Sequence, residues 1–137
     1  MKKIISVIDT NIVISSLWGG KPGKVIELWN KGVFIAAISP DVLQEYLAVL
    51  SRFDITQEEL DDFTLLFLNE NRSKFVIPSE KIYIIKEDHS DNRFLECASV
   101  SNADYIVSGD AHLLRAEKYG KTQIVNVEKF LKQLLIK

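Results

Sequence analysis

Two kinds of apolar pattern alternate along the chain. Short runs rich in β-branched residues occur at 3–8, 33–38, 105–107 and 124–127, and such continuous runs are typical of strands that are buried on both faces of a parallel sheet. Between them, apolar residues recur every three or four positions, which predicts amphipathic helices. This alternation predicts an α/β fold in which a mostly parallel, Rossmann-like central sheet has helices on both faces.

Several predicted helices are bounded by recognisable capping residues. Ser39 and Pro40 supply an N-cap and a first-turn proline for a helix over 39–51. Thr56 and Glu59 form a capping box for a helix over 56–69. Further helices are predicted to begin near residues 12, 25 and 90 and to cover 111–119 and 128–137. A turn is predicted at 18–23, and extended segments are predicted at 74–77 and 82–85.

Composition limits the size and the class of the protein. With 137 residues, of which 47% are hydrophobic and 26% charged, the chain has the proportions of a single globular domain over 1–137. No apolar run reaches the roughly 18 residues of a membrane span, and no signal peptide precedes the first strand, so a cytoplasmic location is expected. Cys97 lies on the apolar face of its helix and is predicted to be a core residue.

The formal net charge of −2 gives no general basic field for nucleic acid. A nucleic-acid partner must therefore be held by a local patch or through bound cations.

Four acidic residues are predicted to approach one edge of the sheet. Asp9 and Asp110 each follow a strand, and the carboxyl ends of parallel strands form the edge where α/β proteins bind ligands. Asp91 falls in the first turn of the helix that begins near Ser90. Glu45 lies at the edge of the apolar stripe of helix 39–51 and can reach the same place, although a glutamate that extends to water is the simpler interpretation.

Carboxylates gathered in this way need a counter-charge. Two like charges ~4 Å apart repel by roughly 1 kcal/mol in water and about 4 kcal/mol at an intermediate dielectric. Oxygen donors without a cysteine or histidine pair favour Mg²⁺ or Mn²⁺ over zinc. Such ions support hydrolysis of a phosphodiester, in which one ion activates water and a second stabilises the leaving oxygen.

Four sequence features, in this order and spacing, resemble the motifs of the PIN-domain ribonucleases. They are IDTN at 8–11, the helical Glu45, DHSDNRFLECA at 88–98 and ADYIVSGD at 103–110. The similarity spans essentially the whole chain, and it is strongest to the bacterial and archaeal VapC-like branch described as toxin components of toxin–antitoxin systems.

The resemblance implies a metal-dependent endoribonuclease. It implies that Mg²⁺ or Mn²⁺ is bound by four catalytic carboxylates, namely Asp9, Glu45, Asp91 and Asp110. Supporting polar positions match Thr10, Asn11 and Ser108. An RNA substrate, an antitoxin protein and a homodimer are the partners that it implies.

Other functions remain open at this level. A phosphatase of the haloacid-dehalogenase type needs a second acid two residues after Asp9, where Asn11 stands, and a receiver domain needs an acidic pair and a late lysine that are not present as required. A non-catalytic interaction domain of the same fold is the third alternative. Asp88 is either a fifth acid or a turn residue, and Arg93 either contacts substrate phosphate or lies on the surface.

Overall fold

The computed structural model describes residues 3–78 and 91–135, apart from the side chain of Asp91. Within these ranges six strands form one sheet in the order β3-β2-β1-β4-β6-β5. Neighbouring strands are parallel except β5 and β6, which are antiparallel. The strands are β1 (Ile5–Ile8), β2 (Ile35–Ile38), β3 (Ser73–Phe75), β4 (Tyr105–Val107), β5 (Lys118–Tyr119) and β6 (Thr122–Val125). The predicted α/β class is therefore confirmed.

Helices occupy most of the chain between these strands. Two of the predicted caps are confirmed, because the Ser39 side chain accepts from the Val42 N–H and the Thr56–Glu59 capping box is formed. The α-helices are α1 (Thr10–Ser15), α2 (Gly20–Asn30), α3 (Pro40–Leu50), α4 (Gln57–Leu68), α5 (Asp91–Ser101), α6 (Ala111–Ala116) and α7 (Val127–Leu135), and a 3₁₀ helix spans Ser16–Trp18.

Two predictions of local structure are wrong. Residues 18–23 were expected to form a turn, but α2 already begins at Gly20, because Gly19 turns the chain at φ +77°. Pro22 is tolerated there since the N–H groups of a first helical turn have no partner within the helix.

The helix predicted over 111–119 ends at Ala116 instead. Glu117 has a positive φ of 63°, and the next two residues form β5, whose pairing with β6 satisfies backbone groups along that strand. The extended segment predicted at 82–85 lies outside the described residues.

Both faces of the central sheet are covered. Val7 and Ile8 of β1 and residues 36–38 of β2 are fully buried, and successive side chains of a strand point to opposite faces. Helix α5 contacts β1 and β2, while α7 contacts β4. Cys97 is buried as predicted, and its burial raises the pKa of the thiol to about 12. None of the helices in the described ranges is long and apolar enough to cross a membrane.

Ser6, in the middle of β1, is buried and its hydroxyl has no hydrogen-bond partner. A buried polar group without a partner carries a desolvation cost, so Ser6→Ala is expected to raise the free energy of unfolding by about 1 kcal/mol. Ser73→Ala is the matched control, since the buried Ser73 hydroxyl donates to the Leu66 carbonyl at 2.9 Å, and it should destabilise the protein. Urea unfolding of both variants checks this; equal destabilisation would show that the Ser6 hydroxyl is satisfied.

Candidate functional site

Asp9 lies where β1 ends and α1 begins. Its backbone N–H donates to the Val107 carbonyl at 2.9 Å, which joins the carboxyl ends of β1 and β4. Its side chain caps α1, because Oδ1 accepts from the Asn11 N–H at 3.2 Å. Its Oδ2 accepts from the Ser108 hydroxyl. The carboxylate is thus buried and held by donors from two neighbouring strand ends.

The pKa of Asp9 reflects its burial, its hydrogen bonds and the charges around it. Burial raises the pKa of this carboxyl from 3.8 to about 6, although the hydrogen bonds from Ser108 and from the Asn11 N–H lower it. The negative charges of Glu45 and Asp110 add to the increase. Three carboxylates from separate parts of the sequence are therefore close enough to interact electrostatically.

Asp110 follows β4 and caps α6. Its Oδ1 accepts from the His112 N–H at 2.7 Å, and its own N–H donates to the Ser108 hydroxyl at 3.0 Å. Ser108 is fully buried, and its hydroxyl bonds to both aspartates. This single serine therefore fixes the position of Asp110 relative to Asp9.

Glu45 reaches the same edge of the sheet from α3. The neighbouring Tyr46 is buried, and its hydroxyl donates to the Ile8 carbonyl, which ties α3 to the end of β1. Burial raises the pKa of Tyr46 well above its usual value, so this donor stays protonated. Glu45 lies at the edge of the apolar stripe, with 16% of its side chain exposed.

Both oxygens of the Glu45 carboxylate have partners. The Thr10 hydroxyl donates to Oε2, and Nη1 of Arg93 lies 3.4 Å from Oε1. Thr10 follows Asp9 directly. The end of β1 therefore carries one acid, Asp9, and its next residue binds a second acid, Glu45.

Of the four predicted acids, Asp9 lies near enough to Glu45 and to Asp110 for their charges to raise its pKa. Of the predicted supporting residues, Thr10 and Ser108 hydrogen-bond to them through their side chains, whereas Asn11 contributes its backbone N–H and its side chain is exposed. Asp91 is the first residue of α5, but its side chain, like all of Asp88 and His89, lies outside the described part of the chain.

Asp104 is separate from this cluster. Its Oδ2 accepts from the Ile5 N–H at 2.9 Å, at the start of β1 and therefore at the opposite edge of the sheet.

Sequence reasoning missed two contacts of the site. Tyr46 falls within the helix predicted over 39–51, and no sequence signal showed that its hydroxyl bonds to β1. For Arg93 the sequence left open a contact with substrate phosphate or a place on the surface, and neither alternative included its pairing with Glu45. Its place in the first turn of α5, two residues after Asp91, was the available signal, because that turn faces the strand ends.

The donor set fits a hard divalent cation. In the described ranges, no three acidic, histidine or cysteine side chains are already arranged to hold a metal ion. Magnesium does not require such a cage, since it usually keeps several waters and takes one or two carboxylates. The donors here are carboxylate and hydroxyl oxygens, and the charges of Glu45 and Asp110 add to the effect of burial in raising the pKa of Asp9.

Comparison with known proteins gives a consistent result. The profile of the PIN-domain family matches residues 6–112. Among solved structures, VapBC2 from Rickettsia felis, determined bound to a DNA fragment from its promoter, is similar with a TM-score of 0.60 and 18% sequence identity. The similarity covers 90% of this chain and 98% of that one, and at this identity it shows a shared fold. A search of curated proteins found no match. Because the family profile covers more than half of the chain, the protein belongs to the PIN-domain family.

Proposed function

We propose that this protein is an endoribonuclease that hydrolyses RNA phosphodiester bonds with Mg²⁺ or Mn²⁺. The observation that carries the proposal is that Asp9, at the carboxyl end of β1, lies near Glu45 and Asp110, whose charges add to the effect of burial on its pKa. The motif resemblance to the PIN-domain ribonucleases adds Asp91 to this proposal as the fourth acid. Membership of that family supports the proposed activity.

Each residue of the site has a physical role in this proposal. Asp9, Glu45, Asp91 and Asp110 would hold the metal, which when bound polarises water for attack on phosphorus and neutralises the leaving oxygen. Ser108 fixes Asp9 and orients Asp110 through its hydroxyl, and Thr10 orients Glu45. Asn11 keeps Asp9 in place through its backbone N–H. These hydrogen bonds hold Asp9 and Glu45 in fixed orientations, which in this proposal lowers the reorganisation needed for the reaction.

We also infer that the protein acts as the toxin of a toxin–antitoxin pair. The motif resemblance points to the VapC-like branch, and the structural similarity to VapBC2 from Rickettsia felis supports it. This assignment implies an antitoxin protein as a partner, an RNA target in the cytoplasm and a homodimer.

RNA cleavage with and without divalent metal tests the proposed activity. The purified protein should cleave end-labelled single-stranded RNA with Mg²⁺ or Mn²⁺ and should stop in excess EDTA, because the site offers acids to hold a metal and no independent nucleophile. It should leave a phosphate monoester, p-nitrophenyl phosphate, intact.

Three outcomes would contradict this account. Cleavage that continues in excess EDTA would exclude the metal mechanism. Hydrolysis of the monoester without RNA cleavage would favour a phosphatase, and no turnover of either substrate would favour an interaction domain. Glu45→Gln, purified in the same way, controls for a contaminating ribonuclease.

A further inference from the structure

Arg93 stands out from the helix that carries it. Residues 92 and 94–98 of α5 are all buried, whereas 43% of the Arg93 side chain is exposed. The helix is therefore anchored on nearly all sides around this position. A flexible cationic side chain projects from a rigid first turn, next to the carboxylate cluster.

The contact between Arg93 and Glu45 is suited to exchange. Nη1 lies 3.4 Å from Oε1, so the pair is single and long, while arginine and carboxylate bind most strongly through two short parallel hydrogen bonds. Glu45 also has the Thr10 hydroxyl on its other oxygen. It would thus keep its orientation if the guanidinium left.

A divalent cation and the Arg93 guanidinium compete for the same carboxylate. Without metal, Arg93 supplies the one positive charge that the described residues place on the cluster of Asp9, Glu45 and Asp110. A dication held by Glu45 would repel the guanidinium and would replace it as counter-charge. The Arg93 side chain, which is already 43% exposed, would then be free to turn towards solvent beside the cluster.

We propose that Arg93 is a phosphate-binding residue, held on Glu45 in the metal-free protein and transferred to an RNA backbone phosphate when a divalent cation occupies the site. The inference rests on the proposed nuclease function and adds a substrate contact to it. Arginine suits this role because its planar group donates two parallel hydrogen bonds to a phosphate. Metal binding and RNA binding are consequently coupled through one side chain.

Arg93→Met tests the proposal, because the affinity for Mn²⁺ should increase in this variant while the affinity for RNA should decrease. Calorimetric titration with Mn²⁺, without RNA, should show tighter binding by about tenfold, because a competing cation has been removed. In cleavage assays at saturating Mn²⁺, KM for RNA should rise about ten- to a hundredfold, as expected for a lost charged hydrogen bond, with kcat close to that of the parent. Arg93→Lys keeps the positive charge but loses the planar group that donates two parallel hydrogen bonds. Its Mn²⁺ affinity should therefore stay near the parent value while its KM for RNA rises.

Lys31→Met is the control for loss of one positive charge. Lys31 follows α2 directly and forms a more exposed ion pair with Glu27 at 2.9 Å. Neither affinity should change in this variant. Weaker Mn²⁺ binding and a lower kcat in Arg93→Met, at unchanged KM, would overturn the proposal by showing that Arg93 merely holds Glu45 in place. The proposal would also be overturned if Arg93→Met had the same Mn²⁺ affinity and the same KM as the parent. The proposed nuclease function would then still stand. A parent that neither binds Mn²⁺ nor cleaves RNA would refute the nuclease function itself, and this inference with it.

Discussion

Asp9→Asn is expected to stabilise the metal-free protein by up to about 3 kcal/mol at neutral pH. The pKa of this carboxyl rises from 3.8 to about 6 on folding, which corresponds to about 3 kcal/mol of cost for the ionised form. Asparagine removes the charge but keeps the size and one oxygen that accepts the Asn11 N–H. The Ser108 hydroxyl can rotate to accept from the new amide group.

The pH dependence fixes the sign of this effect. Since the folded pKa is raised, the folded protein binds this proton more tightly than the unfolded chain does. Stability therefore falls as pH rises from about 4 to about 6, and the full penalty is present above that range. In EDTA, the difference between Asp9→Asn and the parent should be large at about pH 7.5 and should shrink by about pH 5.

Urea unfolding of the two proteins at these pH values measures that difference directly. If Asp9→Asn were less stable than the parent at both pH values, Asp9 would be a strand-end cap whose charge is satisfied by backbone donors.

Glu45→Gln is expected to lower kcat by about 10²- to 10³-fold, the usual size for removal of one charge-stabilising group from an active site. The fold should be retained, because the side chain lies at the edge of the apolar stripe and the glutamine oxygen can still accept from Thr10. Single-turnover RNA cleavage at saturating Mn²⁺ gives the rate, and circular dichroism reports the fold.

Glu70→Gln is the matched control, since Glu70 is exposed and lies in the loop between α4 and β3. It should cleave RNA like the parent. Equal rates for Glu45→Gln and the parent would return Glu45 to the role of a surface glutamate that reaches water.

The fold and most of the candidate site were accessible from the sequence because their signals are local. Continuous β-branched runs end directly at Asp9 and at Ser108, and parallel strands bring such ends to one edge. The stripe of α3 has a period that fixes the angular position of Glu45. These arguments need neighbouring residues and one topological rule, with no knowledge of long-range packing.

Features that depend on contacts between distant segments could not be predicted. β5 exists because residues 118–119 pair with β6, whereas their sequence continues a helical pattern. The bond from Tyr46 to the Ile8 carbonyl joins residues 38 positions apart, and the Arg93–Glu45 pair joins residues 48 positions apart. In each case tertiary packing decides what local propensity leaves open.

The central claim, that these carboxylates form one divalent-metal site, is tested most directly by thermal melts of the parent and Asp9→Asn in EDTA and in Mg²⁺. A ligand stabilises the form that binds it, so Mg²⁺ should raise the melting temperature of the parent clearly and that of Asp9→Asn much less. Equal metal-induced shifts in the two proteins would remove Asp9 from the site and contradict the claim.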